Sequence, residues 1–326
     1  MSALRLFYAN ITLHWGFIVR IPGATAAQPA LAIVPPTTVV GAFAASLLRA
    51  LGHSEGDISI MRHTVSKSGR RKKTLSIEAV LSPVFQDILN STIVASMGLH
   101  PQSEGPGVSV IMEASRILAA PYKTGGSWEK AVKAKPYTLE FYKNAITMAL
   151  PVQAVGAAYA PSTIIDLVWV VDAGKLTKSL PGGGIKVSDI DDIGLSVAYG
   201  VTRLGSKEGI CSVNAACYIE DPPMVNVDKL FQAHTYVPAE CVDPQDIGLV
   251  SRIRLWDLSY KSAEYYVPRN TTLTLAYPPK TEYDIPYYKL RSNCVAYRVV
   301  PDKCSEIREL RGVEWVVAAG LRGGAK

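Results

Sequence analysis

The sequence predicts an α+β protein in which a four-stranded antiparallel sheet carries two helices on one face, and three stretches of chain carry that prediction. Leu4 to Leu13 alternates apolar side chains on both of its faces, the pattern of a strand buried on two sides. Val40, Phe43, Ala44, Leu47, Leu48 and Leu51 recur at the spacing of an amphipathic helix. Thr163 to Val171 (TIIDLVWVV) is a short, almost wholly apolar run of β-branched residues, as in a central strand. With the elements placed between them, the order becomes βαββαβ, that of a ferredoxin-like or RRM-type domain, whose second sheet face is free to bind.

Each element has local reasons. Pro36 stiffens the entry to the first helix, Thr37 or Thr38 can cap it, and Gly52 suits a left-handed terminator. A basic run from Arg62 to Lys73 follows, and Thr74 to Leu81 reads as the second strand. From Pro83 to Ser162 the signals are mixed, with turns at Gly105-Pro106-Gly107 and Gly125-Gly126, so residues of about 85–160 read as an insertion. After the flexible Pro181-Gly182-Gly183-Gly184, Ser188 is the expected cap of a helix with Ile190, Ile193 and Val197 on one face. Its Asp189, Asp191 and Asp192 suit the positive N-terminal end of the helix dipole, and Gly200 closes it. A glycine-bearing loop, Val201 to Gly209, leads into a last strand, Ile210 to Ile219. Beyond Asp221, prolines punctuate short apolar runs without a long helical period. The chain therefore divides into an RRM-like domain, 1–220, and a smaller β-rich domain, 221–326.

Composition narrows the function. A chain of 326 residues with 48% hydrophobic content can bury a substantial core. No run approaches the roughly 20 apolar residues of a membrane span, and Arg5, Asn10 and His14 interrupt any signal-like start, so a cytoplasmic protein without membrane contact is expected. The net charge of +6 is mild for a nucleic-acid binder, which shifts the weight to where the cations cluster. The five cysteines, Cys211, Cys217, Cys241, Cys294 and Cys304, form no CxxC pair, so neither zinc nor any other cofactor is expected. Buried thiols are their expected state. The 16 tyrosines and 21 prolines fit a thermophile, which leaves a Cys211–Cys217 link open.

No GxxxxGK[ST], GxSxG or HExxH run is present, which sets aside nucleotide hydrolysis, serine hydrolysis and zincin chemistry. Lys67-Ser68-Gly69-Arg70-Arg71-Lys72-Lys73 instead places five cations in seven residues, a density that a polyanion or water must relieve. It reads either as a phosphate-contacting loop or as a solvated one. Lys123, Lys130, Lys133 and Lys135, interleaved with Tyr122, Trp128 and Tyr137, pose the same alternatives more weakly. In Arg203-Leu204-Gly205-Ser206-Lys207, two cations flank a glycine that lets backbone approach a phosphate, although a plain helix-to-strand connection fits equally. His14, His53, His63, His100 and His234 are the candidates for general acid–base work, and isolated histidines more often serve the surface or the core.

Val34-Pro35-Pro36-Thr37-Thr38-Val39-Val40-Gly41-Ala42 resembles the PPTT(V/I)xGA signature that opens the first helix in the Cas five family of CRISPR-associated proteins. Trp15-Gly16-Phe17 with Arg20, Ile21 and Pro22, and Arg203-Leu204-Gly205-Ser206-Lys207-Glu208, are similar to the archaeal type I-A branch of that family. The resemblance implies an RRM-like domain with a β-rich C-terminal part that caps the 5′ handle of the guide RNA (crRNA) within Cascade, beside the backbone and large subunits. Target DNA would be met only indirectly. It further implies non-catalytic binding, because the Tyr, Lys and His triad of the one cleaving branch has no clear counterpart here. The RNA-binding residues expected on these grounds are Arg20, Thr37, Thr38, Lys67, Arg70, Arg71, Lys72, Lys73, Arg203, Gly205, Ser206 and Lys207. A metal-independent endoribonuclease of the same fold, the handle-binding subunit of a type III complex, and a pure protein scaffold are the alternatives.

Overall fold

The computed structural model describes residues 3–19, 31, 33–53, 63–68, 72–77, 83–101, 109–117, 152–205, 209–227, 229–269, 284–299, 304 and 317–322. Strand β1 (Leu4–Leu13) lies in the middle of the main sheet, antiparallel to β8 (Ile164–Asp172) on one side and to β9 (Cys211–Glu220) on the other. The remaining edge is β5 (Thr92–Leu99), paired with β8, so the order is β5-β8-β1-β9. Helix α1 (Pro36–Ala50) connects β1 towards β5, and α4 (Val187–Tyr199) connects β8 to β9, which completes a βαββαβ unit. Two shorter helices, α2 (Pro83–Ser91) and α3 (Ala173–Ser179), precede β5 and follow β8.

The second strand of the unit is therefore Thr92–Leu99 and not the expected Thr74 to Leu81. Residues of that expected strand instead belong to a separate two-stranded hairpin, β3 (His63–Ser68) with β4 (Lys72–Ile77). The insertion expected over about 85–160 likewise starts later, since α2 and β5 belong to the main unit. Within it, β6 (Ser109–Ile117) pairs with β7 (Val152–Tyr159), and β7 takes up the short β2 (Gly16–Phe17). The confusion has a physical source. β4 and β5 both present short runs of mixed polarity, and only pairing with β8 distinguishes the strand that enters the core.

Helix α1 starts and stops by backbone devices. Its N-cap is Pro35, whose carbonyl accepts from Thr38 N at 2.9 Å, so Thr37 and Thr38 lie within the first turn and neither caps it. Gly52, at φ +81°, ends the helix as expected: Gly52 N donates to Arg49 O at 2.9 Å, and His53 N donates to Leu48 O at 2.9 Å. In α4 the N-cap is Lys186, whose amide donates to the Asp189 carboxylate at 2.8 Å, so Asp189 does the work expected of Ser188. Asp191 is taken up by the tertiary structure: Arg5 Nε reaches it at 2.6 Å and Tyr218 OH donates to it, which ties β1, α4 and β9 together.

Phe7, Ala9, Ile11 and Leu13 of β1 face the helices and join Val40, Phe43, Leu47, Ile190 and Val197 in the largest apolar cluster. Trp169 sits at its centre, stacked on Phe7 at 4.9 Å between ring centroids and on Phe43 at 6.0 Å. Burying each such side chain contributes about 1.5–3 kcal/mol. The opposite face is not open. Leu6, Tyr8, Val168, Val170, Cys217 and Ile219 pack there against Val295, Tyr297, Val299 and Ala318 of the C-terminal chain. The expectation of a free sheet face fails for a reason present in β1 itself: a strand apolar on both faces needs two covers.

That second cover is the hairpin of β16 (Cys294–Arg298) and β17 (Val317–Leu321). The rest of the C-terminal part is β-rich, with β10 (Leu230–Gln232) and β12 (Val242–Pro244) flanking β15 (Tyr287–Leu290). A third small sheet has β14 (Ser262–Pro268) between β11 (Val237–Pro238) and β13 (Val250–Trp256). Disulfides join Cys217 to Cys304 and Cys241 to Cys294, with Cα separations of 5.3 and 5.4 Å. Four cysteines are thus bonded and not the expected thiols. The partner of Cys217 is the residue that the C-terminal cover brings to it, and Cys211 remains a buried thiol whose pKa burial pushes up to about 12. Among the described residues, no helix is long and apolar enough to cross a membrane.

Candidate nucleic-acid interface

A groove of about 490 Å³ opens where the first turn of α1 meets the loop that follows α4. Thr38, Gly41, Ala42, Ala45 and Arg49 line it from α1, at the i, i+3, i+4, i+7 and i+11 spacing of one helical stripe. The small side chains at 41, 42 and 45 keep its floor low, which gives the Gly41-Ala42 pair of the signature a steric role. Thr37, Pro35, Ile18 and Val19 add the wall next to the helix start. There Pro36 carries no amide hydrogen and Thr38 N and Val39 N donate to Pro35 O, so what the helix start offers an anion is mainly the positive end of its dipole.

The loop after α4 supplies Thr202, Arg203 and Gly205. It is pinned at its base: Leu204 N donates to Gly209 O at 2.7 Å, Cys211 N donates to Thr202 O at 3.1 Å, and the Leu204 side chain is fully buried. Gly205 holds φ +77°, and a Cβ there would stand 3.4 Å from Ile18 O and 3.7 Å from Thr38 Cγ2. Those are ordinary contact distances, so the glycine serves the left-handed backbone and not the packing against α1. Arg49 donates to Gly200 O at 2.8 Å, which fixes one cation at the seam of the two helices. No carboxylate is among the described residues that line the groove, and Arg49 and Arg203 give it positive charge. Trp256, at the end of β13, and Tyr260, in the turn between β13 and β14, complete it.

Of the residues expected to bind RNA, the structure brings Thr37, Thr38, Arg203 and Gly205 into this groove. Lys67, Lys72 and Lys73 lie on the β3–β4 hairpin, with Lys67 across from Lys73 and Ser68 across from Lys72. Arg20, Arg70, Arg71, Ser206 and Lys207 fall outside the described residues, as do Tyr122, Lys123, Trp128, Lys130, Lys133, Lys135 and Tyr137. Sequence reasoning missed Arg49, Trp256 and Tyr260. Arg49 shares the helical stripe of Thr38 and was within reach of a periodicity argument, whereas the two aromatics are over 200 residues away in sequence from Thr38 and carry no local signal.

A second constellation lies buried on the far face of the sheet. Asp166, with no solvent exposure, receives Tyr8 OH at 2.7 Å and Asn10 Nδ2 at 2.8 Å on one oxygen, and His100 Nδ1 at 2.8 Å and His234 Nε2 at 2.7 Å on the other. Burial pushes this carboxyl up, but the hydrogen bonds and charge of His100 and His234 outweigh it and hold it well below the usual carboxylate range. Burial, then the Asp166 charge, pushes the Tyr8 phenol well above its ordinary value. Asn10 is oriented in turn by Asn214, which donates to its Oδ1 at 2.9 Å beside a bulge in the β1–β9 pairing. The signal for this network was the lone Asp in the TIIDLVWVV run. His14 is exposed and lies 2.6 Å from Ser212 Oγ. Among the described residues, no group of three or more His, Cys, Asp or Glu is placed to hold a metal.

No family model matches the chain, and no curated protein matches it. Among solved structures, a CRISPR protein from Archaeoglobus fulgidus superposes with a TM-score of 0.51 at 13% sequence identity, over 98% of this chain and all of that one. The chain shares the fold of that protein. Two structures of a type III-B Cmr-beta complex bound to cognate target RNA, one of them also with AMPPnP, match at 9% identity over 87% of this chain and 86% of theirs, with TM-scores of 0.27 and 0.26. Superposition at that level carries no argument.

Proposed function

We propose that this chain is a non-catalytic crRNA-binding subunit of a CRISPR effector complex of the type I-A Cascade kind, and that it caps the 5′ handle of the guide in the groove between α1 and the loop after α4. The observation that carries this reading is the meeting, in one groove without lining carboxylates, of Thr37 and Thr38 from the signature and Arg203 and Gly205 from the glycine loop. These residues are some 165 positions apart in sequence, in two separate local motifs that the fold brings together. A helix start favours phosphate through its dipole, a glycine-backed turn can offer backbone N–H groups, and Arg49 and Arg203 add charge. The whole-length likeness to a CRISPR protein supports the same class. The neighbours expected are the backbone and large subunits, with target DNA reached only through the guide.

Filter binding of repeat-derived RNA at several salt concentrations tests the proposal. An Arg49→Ala, Arg203→Ala variant should weaken binding and flatten the dependence of log affinity on log salt by up to about 1.4, at roughly 0.7 per lost phosphate contact to a single strand. A folded wild-type protein with no affinity for the RNA would end the reading. Incubation in EDTA gives the second arm: the RNA should stay intact, whereas a shortened product would favour an endoribonuclease. Replacing Arg70, Arg71, Lys72 and Lys73 by alanine should flatten the slope by up to about 3 more if the β3–β4 hairpin also tracks the guide.

A further inference from the structure

Resting on that reading of the groove, we infer that Trp256 and Tyr260 form a stacking subsite for one unpaired nucleobase of the bound strand, so that the groove holds a base as well as phosphates. Trp256 ends β13, paired with Ser262 of β14, and Tyr260 stands in the turn that joins the two strands; both line the groove that Arg49, Thr38 and Arg203 also line. The turn is built to hold Tyr260 in place. Asp257 accepts from Ser259 N and Lys261 N, each at 2.8 Å, through one carboxylate oxygen. Its own amide donates to Lys261 O at 2.8 Å, and its carbonyl accepts from Tyr260 N at 3.1 Å.

Tyr260 pays for its position with its backbone. It holds φ +56°, a left-handed conformation that a bulky residue rarely adopts, and one of three non-glycine residues with positive φ among those described. A glycine or asparagine would make this turn with less strain, so the turn alone does not explain a tyrosine. Its ring is half-buried against the edge of the main apolar cluster, and Trp256 is half-buried on the last residue of β13. Partly buried rings that line a groove present part of their surface to it and lose little freedom when a flat ligand covers that part. The volume of about 490 Å³ falls within the range of pockets that take a small-molecule-sized group, which suits a nucleotide unit and not a duplex. Bases of single strands stack on aromatic side chains with little regard to sequence, while nearby cations hold the phosphates.

An abasic scan tests this with the full chain. A single-stranded RNA carrying the repeat-derived 5′ handle is made with an abasic residue at each position in turn, and its affinity is measured for wild type and for a Trp256→Ala, Tyr260→Gly variant. Glycine is chosen at 260 because it accepts positive φ, and Tyr260→Phe, which keeps the ring, should bind as wild type does. One position should cost wild type roughly 5- to 150-fold in affinity, and the same position should cost the double variant less than about twofold. Tight binding by wild type with no such position, or an equal loss in both proteins, overturns the stacking subsite and leaves the RNA-binding proposal standing. No binding by wild type to any of the RNAs removes both. If the double variant keeps full RNA affinity but no longer assembles with its neighbouring subunits, the rings contact protein, and the inference is overturned in that case too.

Discussion

On one face of the main sheet Phe7, Ala9, Ile11 and Leu13 join α1 and α4 in an apolar cluster, whereas on the other Tyr8 and Asn10 converge on Asp166 together with His100 and His234. The first face is held by contacts without direction, so side chains of similar volume can replace one another there at modest cost. The second adds to its own apolar cluster four directed hydrogen bonds to one buried carboxylate, and each depends on the others for its geometry. His234 belongs to the C-terminal part of the chain, so the same bonds help to hold the segment around Thr235 and Tyr236 against β5. With neither face open, the groove lies at the rim, where helix ends and loops meet.

The largest effect should come from removing the shared acceptor. Asp166→Asn places an NH₂ group against donors and leaves buried partners unpaired, and should cost about 3–5 kcal/mol in urea unfolding. The pH response sharpens the same point. Because the folded carboxyl lies below its unfolded value, its contribution is fully present above about pH 4 and is lost as pH falls from there. Asp191, held down chiefly by its hydrogen bond from Arg5, acts in the same sense and window. The acid limb of the stability curve should therefore be shallower in Asp166→Asn than in wild type, and parallel limbs would remove Asp166 from the account.

Opening the Cys217–Cys304 link by a double serine substitution should cost about 2–4 kcal/mol in thermal or denaturant unfolding, since it closes a loop spanning 87 residues between the sheet and its cover. A volume-conserving change on the helix face, such as Leu47→Met, should cost less than about 1.5 kcal/mol by the same assay. If the two costs come out equal, the asymmetry between the faces is not real.

At the rim, Gly205→Val and Gly205→Asn separate backbone from contact. Valine at φ +77° should destabilise the protein by about 1–2 kcal/mol and weaken RNA binding, while asparagine, which tolerates that conformation, should weaken RNA binding alone. The smallest effect is expected at Thr38→Ala. Because Thr38 lies inside the first turn and Pro35 is the cap, stability should change by less than about 0.5 kcal/mol. A loss near 1 kcal/mol, typical of a helix cap, would restore the capping role that the structure denies it.

Much of the frame was legible in the sequence because it rests on short-range periodicity: β1, α1, β8, α4 and β9 follow from the spacing of their own apolar residues. The closed second face was also legible, since Leu6 and Tyr8 alternate with Phe7 and Ala9, although the βαββαβ order by itself points to an open one. Strand β5 was missed because what marks it is its partner, β8, and pairing is a long-range fact. The groove was half legible. Thr37, Thr38, Arg203 and Gly205 lie in local motifs, while Trp256 and Tyr260 are brought in by the C-terminal chain and look like ordinary strand and turn residues until the fold places them. The cysteine pairs were illegible for the same reason, as Cys304 gains its meaning from the hairpin that carries it towards β9.

The bulge beside Asn10 has a consequence for the polarity of the sheet. Asn214 donates to the Asn10 oxygen, so the Asn10 amide can turn only its NH₂ group inward, and that group donates to Asp166. Donors therefore follow one another in a single sense from the β9 edge to the interior, each handing its partial positive charge one step closer to the anion. An amide rotated by 180° would set oxygen against the Asp166 oxygen at one end and NH₂ against the Asn214 NH₂ at the other. The half-exposed edge of the sheet thus helps to keep a carboxylate charged in a place where water does not reach.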